Sequence, residues 1–228
     1  MIEETQGIIL RTIRYSESSL IVHWLTEDHG RISTMVRGAL RPKSPFRGKL
    51  DLFYVCQLTF RRSSRSTLHN LREINLKENF ERLRRDVEKI NHASYIAQLT
   101  SKSVEEDTPV DGLFSLLIEF LSILNQTKKT DLLHVLWFEF RLLQLLGLEP
   151  QWRQDRLSRH AKHVLEHWST EEAAPQHENV SKIEKVGIDL FKYLGRFMTY
   201  HLGLPPKLRG QLVDTHARPC RPQDAETQ

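Results

Sequence analysis

The sequence predicts an α+β protein, with a small five-stranded antiparallel β-barrel at the N-terminus and an all-helical domain after it. Two observations along the 228 residues lead to this prediction. Residues 1–78 have short apolar runs and alternating apolar and polar side chains, at the period of β-strands. From residue 79 onward the apolar side chains recur every three or four positions, at the period of α-helices.

The N-terminal part contains five strand-like segments and no helix long enough for a crossover connection, which is typical of a small antiparallel barrel. An OB-fold is the leading candidate because its sheet can bind an oligonucleotide across one face. An SH3-like barrel is the structural alternative. Gly30 ends a predicted hairpin turn, where a residue without a Cβ can adopt positive φ. The predicted strands cover residues 6–15, 20–26, 31–36, 52–61 and 67–76.

The rest of the chain is predicted to form helices and a short tail. Gly147 is a good C-cap for the third helix, and residues 170–179, which contain Pro175, predict a surface loop. We expect an OB-fold domain at residues 1–78, a helical domain at 79–215 and a disordered tail at 216–228. The predicted helices cover residues 77–104, 111–125, 131–146, 157–168, 182–201 and 204–213.

The N-terminus and the cysteines predict a cytoplasmic protein without a membrane span. The first ten residues carry acids where a signal peptide would carry bases, and charges interrupt every apolar stretch well before about 18 residues. Cys56 and Cys220 lie far apart in the sequence and form no CxxC pair. A reducing cytoplasm is the simplest location for such a chain, and a DNA partner would make it nucleoid-associated.

Positive charge is concentrated in the second half of the predicted barrel. Residues 37–65 contain eight basic residues and one acid, Asp51, which gives a charge of +7. Since the net charge of the chain is +4, the other residues together carry −3. Such an asymmetry predicts a polyanionic partner. The basic residues are Arg37, Arg41, Lys43, Arg47, Lys49, Arg61, Arg62 and Arg65.

Five of these basic residues lie in one irregular segment, residues 37–49, between two predicted strands. Its glycines and prolines predict an exposed loop, so ion pairing in a core does not explain its charge. Phosphates are the natural counter-charge, because neutralising them releases condensed counterions. A solvated loop that only keeps the protein in solution is the alternative. Arg61, Arg62 and Arg65 add a second basic site in the same barrel.

Aromatic side chains near these charges are candidates for stacking on bases. Phe46 is the best candidate because it lies within the basic loop, whereas most of the other rings are expected in the core. Tyr54 alternates with Leu52 and Leu58, which predicts that it is buried. The set considered is Tyr15, Trp24, Phe46, Phe53 and Tyr54.

The sequence contains no motif of a metal centre or a catalytic site. His160, His163 and His167 share one helix face, but no cysteine or carboxylate completes a familiar ligand set, so a solvated face is expected. The acidic run at residues 105–107 marks the exit from a helix into a loop rather than a catalytic pair. No phosphate-binding, dinucleotide-binding, zinc-protease or nucleophile-elbow motif occurs. We therefore predict a protein that is not an enzyme and holds no metal or cofactor.

Several segments along most of the chain form a recognisable ordered set. In the barrel they are residues 7–12 (GIILRT), 15–22 (YSESSLIV), 25–33 (LTEDHGRIS) and 36–39 (VRGA). In the helical part they are residues 138–143 (FEFRLL), 146–150 (LGLEP) and 200–203 (YHLG), followed by Lys207 and Leu208. No single segment is very specific, but the ordered set resembles the RecO family of bacterial repair proteins.

The resemblance implies an OB-fold followed by a helical domain, in a protein that serves recombinational repair of DNA damage. It implies binding of single- and double-stranded DNA, annealing of complementary strands, and help in loading RecA. The implied protein partners are RecR and the C-terminal tail of single-stranded DNA-binding protein. The DNA-contacting residues of the family correspond to Arg37, Arg41, Lys43, Arg47 and Lys49, and more loosely to Arg11 and Arg14.

The chain departs from the family pattern in two places. Many members carry four cysteines of a zinc module after the Leu-Gly-x-x-Pro segment, but residues 151–163 contain none, which predicts no zinc and a reduced subdomain. Some members carry an arginine before the Phe-Glu pair, tied to binding the acidic partner tail, where this chain has Leu136 and Trp137. The tail-binding residues are then expected to be Phe138, Arg141 and Arg153.

Two other functions remain open at this point. The barrel could belong to an accessory factor that delivers DNA or RNA to a partner processing enzyme, or the chain could be a scaffold that only bridges proteins. Annealing of complementary strands without nucleotide or metal would distinguish a mediator from both.

Overall fold

The computed structural model describes residues 1–128, 131–170, 184–203, 205 and 207–217. The loop predicted at residues 170–179 lies outside the described residues apart from Thr170, which ends a helix. The predicted tail lies outside them from residue 218 onward. The final helix continues to Ala217, past the position where the tail was expected to begin.

Five strands form a closed barrel in which the order is β1-β2-β3-β5-β4, with β4 paired back onto β1. This arrangement confirms the predicted OB-fold rather than the SH3-like alternative. Gly30 has the positive φ expected of it, at 66°. The strands are β1 (Ile2–Arg14), β2 (Leu20–Thr26), β3 (Gly30–Val36), β4 (Val55–Arg61) and β5 (Leu68–Glu78).

One pair of strands differs from the antiparallel prediction. β3 and β5 run parallel, with Ser33 opposite Leu68 and Met35 opposite Asn70, while the other pairs are antiparallel. The reason is geometric: a closed ring with an odd number of strands cannot alternate in direction all the way round. The parallel pair closes the barrel beside the end of β3, where the basic loop begins.

Six α-helices occupy the described part of the chain after the barrel. The first begins later than predicted, because β5 continues to Glu78 and a 3₁₀ turn, Leu83–Arg85, follows. Asp86 then starts the helix, since its side chain accepts hydrogen bonds from the backbone N–H groups of Glu88 and Lys89. The helices are α1 (Val87–Ser103), α2 (Leu113–Gln126), α3 (Leu132–Leu145), α4 (Arg159–Thr170), α5 (Glu184–Leu202) and α6 (Leu208–Ala217).

Two apolar cores hold the molecule together. One fills the barrel, and the other joins the helices to outward-facing barrel residues such as Ile8 and Leu10. Phe53 and Phe80 have positive φ, at 67° and 48°, and both rings are buried in this second core. The helix α3 is its centre, since every residue from 133 to 140 is buried. Barrel and helices therefore share one packed interface.

Candidate nucleic-acid interface

A basic cleft opens on the barrel surface where β3, β4 and β5 meet. Its volume is about 450 Å³ and it includes the connection between β4 and β5. In OB-folds this connection and the outer face of β2 and β3 form the surface that binds oligonucleotides. Five arginines line the cleft: Arg37, Arg61, Arg62, Arg65 and Arg72.

Strand register explains why these side chains converge. Met35 lies opposite Asn70, and Asn70 lies opposite Arg61, so the three residues form one row across β3, β5 and β4. Side chains alternate between the two faces of a strand, so residues two positions further along the parallel pair return to the same outer face. Those residues are Arg37 and Arg72, and both are exposed.

Four of the cleft arginines have no acidic partner among the described residues: no described carboxylate lies within 4.0 Å of Arg37, Arg61, Arg65 or Arg72. An exposed cluster of like charges without counter-charges destabilises itself by repulsion, and a polyanion relieves that repulsion. The cleft therefore has the charge and shape of a phosphate-binding surface.

Arg62 differs from its neighbours in the cleft. Its Nε donates to Glu3 Oε1 at 2.8 Å, and its Nη1 donates to Asp107 Oδ1 at 2.6 Å. The hydrogen bond to Glu3 raises the pKa of the Arg62 guanidinium, and the bond to Asp107 adds a smaller effect in the same direction. The hydrogen bond between Glu3 and Arg62 also lowers the pKa of the Glu3 carboxyl group. Arg62 was predicted as a DNA-binding residue on its sequence position alone, and in the structure its charge is already paired.

The basic loop at residues 37–49 is a series of tight turns beside this cleft. Hydrogen bonds from Arg41 N to Gly38 O and from Arg47 N to Ser44 O hold it, at 3.1 and 3.2 Å. Arg41, Lys43 and Arg47 are exposed at its surface, as the sequence predicted for a loop. Lys49 is half-buried and its Nζ donates to the carbonyl of Ile74 at 3.5 Å, which ties the end of the loop to β5.

The aromatic prediction was wrong for Phe46. Its side chain is only 9% exposed and belongs to the barrel core, because the turns of the loop fold the ring inward over that core. Trp24 and Phe53 are also buried, and the guanidinium of Arg84 covers the ring of Tyr54. Tyr15, at 64% exposure, is the one aromatic of the predicted set that is open to a base.

An apolar row crosses the outer sheet face between Tyr15 and the cleft. Ile13 lies opposite Ile21, and Ile21 lies opposite Met35. All three are half-buried, and neither core includes them. Apolar side chains on a basic surface can contact the faces of unpaired bases. The row ends at Met35, which lines the cleft.

Of the two loosely assigned arginines of β1, Arg11 lies on this face, whereas Arg14 lies at the end of the strand in register with Leu20. Arg11 is exposed opposite His23, while Arg14 donates to the carbonyls of Ser16 and Glu17 in the β1–β2 turn. Burial, and then the charge of Arg11, lower the pKa of His23 below its usual value. The lowered pKa favours the neutral imidazole, so His23 contributes little to the positive charge of the face.

One serine, histidine and carboxylate set occurs on this face, but its order does not fit a nucleophile. Ser33 Oγ lies 2.8 Å from His23 Nδ1 and donates to Glu106 Oε1 at 3.1 Å. The carboxylate therefore orients the serine rather than the histidine, the reverse of a catalytic triad. Ser33 is only 5% exposed, so substrate cannot reach its hydroxyl.

The predicted tail-binding residues are separated in the helical part. Phe138 is fully buried in α3, so its assignment to a surface site was wrong; a helix that is apolar all round buries that ring in the bundle centre. Arg141 donates to Gln144, and Arg153 stacks on Trp152 with its Cζ 4.4 Å from the ring centre.

His160, His163 and His167 are exposed on α4. Within the described residues no group of three or more His, Cys, Asp or Glu is placed to hold a metal.

A second cleft, of about 690 Å³, lies between α5 and α6. Phe191 and Tyr200 give it an apolar surface, and Lys192 and Arg196 are exposed beside them. Arg209 forms its floor and is paired with the fully buried Glu139 through two hydrogen bonds of 2.8 Å. The side chain of Arg209 fits there because residue 195 is glycine. A Cβ at that position would collide with the Arg209 guanidinium.

Fold and surface together define an OB-fold protein with an arginine cleft, joined through a shared core to a helical bundle. Family models for the recombination protein O N-terminal and C-terminal regions match residues 1–80 and 84–172. The chain therefore belongs to the recombination protein O family. No described helix is long and apolar enough to span a membrane.

Curated relatives of this chain are described as DNA repair protein RecO. The protein from Rhodopirellula baltica is 38% identical over 147 residues, 63% of this chain and 53% of its own length. The Halalkalibacterium halodurans protein is 30% identical over 151 residues, 66% of this chain and 58% of its own. The Exiguobacterium sibiricum protein is 30% identical over 150 residues, which are 66% of this chain and 59% of its own length. The matched region spans somewhat more than half the length of each relative.

Sequence reasoning did not include Arg72 among the cleft residues, and it preferred the buried Phe46 to the exposed Tyr15. Arg72 lies outside the basic run at residues 37–65 and reaches the cleft only because β5 pairs parallel to β3. The alternation of β5 could have placed Arg72 on the outer face, but not beside Arg37. For Tyr15 the usable signal was its position at the end of β1, before the polar turn.

Proposed function

We propose that the protein is a non-enzymatic mediator of recombinational DNA repair that binds single- and double-stranded DNA through its OB-fold. The observation that carries this proposal is the arginine cleft, because no described carboxylate compensates four of its five guanidinium groups. The basic loop extends the same charged surface, with Arg41, Lys43 and Arg47 exposed. The OB-fold supplies the sheet face that binds oligonucleotides in other proteins of this architecture.

The proposed mechanism is annealing by charge and shape. Phosphates of one strand occupy the cleft while Tyr15 and the apolar row contact its bases. The basic loop holds the phosphates of a second strand and reduces the repulsion between the two. Complementary bases then pair because their local concentration is raised, without nucleotide or metal. We further propose that the protein acts with RecR to help load RecA onto DNA coated with single-stranded DNA-binding protein.

The test is annealing of two complementary labelled oligonucleotides by the full chain, compared with a variant in which Arg41, Lys43 and Arg47 are all alanine. The variant is expected to anneal more slowly. Its slope of log affinity on log salt should be lower by about 2 to 3, since each of the three lost phosphate contacts removes about 0.7 to 0.9. The loss of DNA affinity should be the same for oligonucleotides of any base sequence, because phosphate contacts carry no sequence information.

Two outcomes would contradict this proposal. An unchanged salt slope in the triple variant would exclude the loop as a phosphate-binding element. Tight DNA binding without any acceleration of annealing by the unaltered chain would favour the accessory factor that delivers nucleic acid to a processing enzyme.

A second role is supported by the cleft between α5 and α6. Its apolar rings and its exposed Lys192 and Arg196 complement a short peptide that is both acidic and apolar. The C-terminal tail of single-stranded DNA-binding protein has this chemistry, and we propose that it docks there. Arg141 and Arg153 are the competing candidates for the same role.

A labelled tail peptide titrated against full-chain variants separates these candidates. Replacing Lys192 and Arg196 by alanine is expected to lower the affinity for the tail peptide about tenfold, because two charge-assisted contacts are lost at a partly exposed site. Replacing Arg141 and Arg153 should leave its affinity unchanged. The opposite pattern would move the site to α3 and the segment between α3 and α4. No binding of the peptide to the unaltered chain would contradict this second role.

A further inference from the structure

The connector between α1 and α2 lies against the barrel at the edge of the arginine cleft. Asp107 N donates to the carbonyl of Arg31 at 2.9 Å, and Arg31 Nε donates to the carbonyl of Val104 at 3.2 Å. Glu106 forms a parallel β-bridge with Arg31. Because β5 pairs with β3 only from Ser33 onward, the connector occupies the edge of β3 just before β5 begins.

The connector contains four acidic residues, and it presents two of their side chains to basic or polar groups of the barrel. Glu106 Oε1 accepts from Ser33 and lies 3.6 Å from Arg31 Nη1. Asp107 Oδ1 accepts from Arg62 Nη1 at 2.6 Å, and the same oxygen lies 3.6 Å from Nε2 of the buried His69. Glu105, in contrast, is exposed and forms no ion pair with a described residue.

We propose that this connector is an intramolecular competitor for nucleic acid, in which the Asp107 carboxylate occupies the place of a phosphate at Arg62. The inference rests on the proposed function, since it concerns the same cleft. Arg62 lines that cleft together with Arg37, Arg61 and Arg65, yet it alone of these four is neutralised by carboxylates from inside the molecule. DNA gains the contact only when it displaces Asp107.

The pairing of Arg62 explains how the competition can be reversible. Glu3 holds Nε through both of its carboxylate oxygens, at 2.8 and 3.0 Å, and so fixes the guanidinium at the wall of the cleft. Asp107 occupies only Nη1. A phosphate can therefore exchange with Asp107 without moving the arginine, and Asp107 then leaves the barrel together with the connector backbone. Nucleic-acid binding and docking of the connector oppose each other at this residue.

The test compares Asp107→Asn with Glu105→Gln in the full chain. Both variants remove one negative charge from the same connector, but only the first removes the charge that is paired with Arg62 Nη1, and asparagine tolerates the positive φ of 55° at position 107. Asp107→Asn is expected to bind a single-stranded oligonucleotide roughly two- to fivefold more tightly than Glu105→Gln, which is the strength of a partly exposed ion pair. The slope of log affinity on log salt should be steeper for Asp107→Asn than for Glu105→Gln by up to about 0.7.

Equal affinities of the two variants would overturn the inference and leave only a general effect of charge. Failure of the unaltered chain to bind DNA at low salt would instead contradict the proposed function. Hydrogen exchange in the unaltered chain gives a second readout that requires no variant. The amide of Asp107, which is bonded to Arg31 O, should exchange faster when the oligonucleotide is bound, while α2 serves as the internal reference. Unchanged exchange in the connector would also overturn the inference.

Discussion

Replacing Arg37 and Arg72 together by alanine is expected to weaken binding of a single-stranded oligonucleotide by roughly 10- to 100-fold at low salt. Both guanidinium groups line the arginine cleft, and no described carboxylate lies within 4.0 Å of either. Each is therefore available to a phosphate without breaking an existing ion pair. The slope of log affinity on log salt should fall by about 1.4, which corresponds to two lost contacts with single-stranded DNA.

A matched control is offered by Arg156 and Arg159, which are exposed in the helical part of the chain. Replacing this pair by alanine removes the same total charge from residues that do not line the cleft, so the affinity for DNA should change less than about twofold at moderate salt. Fluorescence anisotropy over a series of salt concentrations measures both effects. Equal losses in the two double variants would mean that net charge, rather than the cleft, governs binding.

Glu139→Gln is expected to destabilise the protein by about 3–5 kcal/mol, because it leaves the Arg209 guanidinium buried without a counter-charge. Glu139 is fully buried and Arg209 is 5% exposed. Burial by itself lowers the pKa of Arg209, but the facing carboxylate outweighs it and keeps the pKa above the usual value. For a chain of this length the midpoint of thermal unfolding should fall by about 6–20 °C.

Three further variants test the cause of this loss. Tyr95→Phe removes one hydrogen bond to Glu139 and should cost about 1 kcal/mol. Glu139→Leu combined with Arg209→Met replaces both charges by apolar groups and should recover most of the stability. Glu166→Gln removes an exposed charge on α4 and should change stability by less than about 0.5 kcal/mol. A Glu139→Gln variant with an unchanged unfolding midpoint would contradict the assignment.

Most of the fold could be predicted because it rests on local patterns. The strands β2, β3 and β4 and the helices α2 and α3 begin and end within a few residues of their predicted positions, since alternation and helical periodicity fix them. The start of α1 was predicted too early, because residues 77–86 carry apolar side chains at spacings compatible with a helix. Phe80 and the Asp86 cap decide that boundary, and both depend on how the barrel joins the helices.

The candidate site was predicted less completely. Exposure of Arg41, Lys43 and Arg47 follows from glycine and proline in the loop, and the sequence indicates it. The burial of Phe46 does not follow, because the inward direction of its ring depends on turns that close over the barrel core. Phe138 is buried because its helix is apolar on all sides, whereas its assignment to the tail-binding site came from the family resemblance.

The sequence by itself determined the barrel, the helical bundle and the concentration of positive charge between residues 37 and 65, because each depends on residues close together in the chain. Only the tertiary structure decided which of those charges are available. Arg62 is neutralised by Glu3 and Asp107, which lie 59 and 45 residues away from it, while Arg72 joins the cleft through the parallel pairing of β3 and β5. Ion pairing falls off within a few ångströms, so the free charge of a surface depends on contacts between distant segments that no local pattern records.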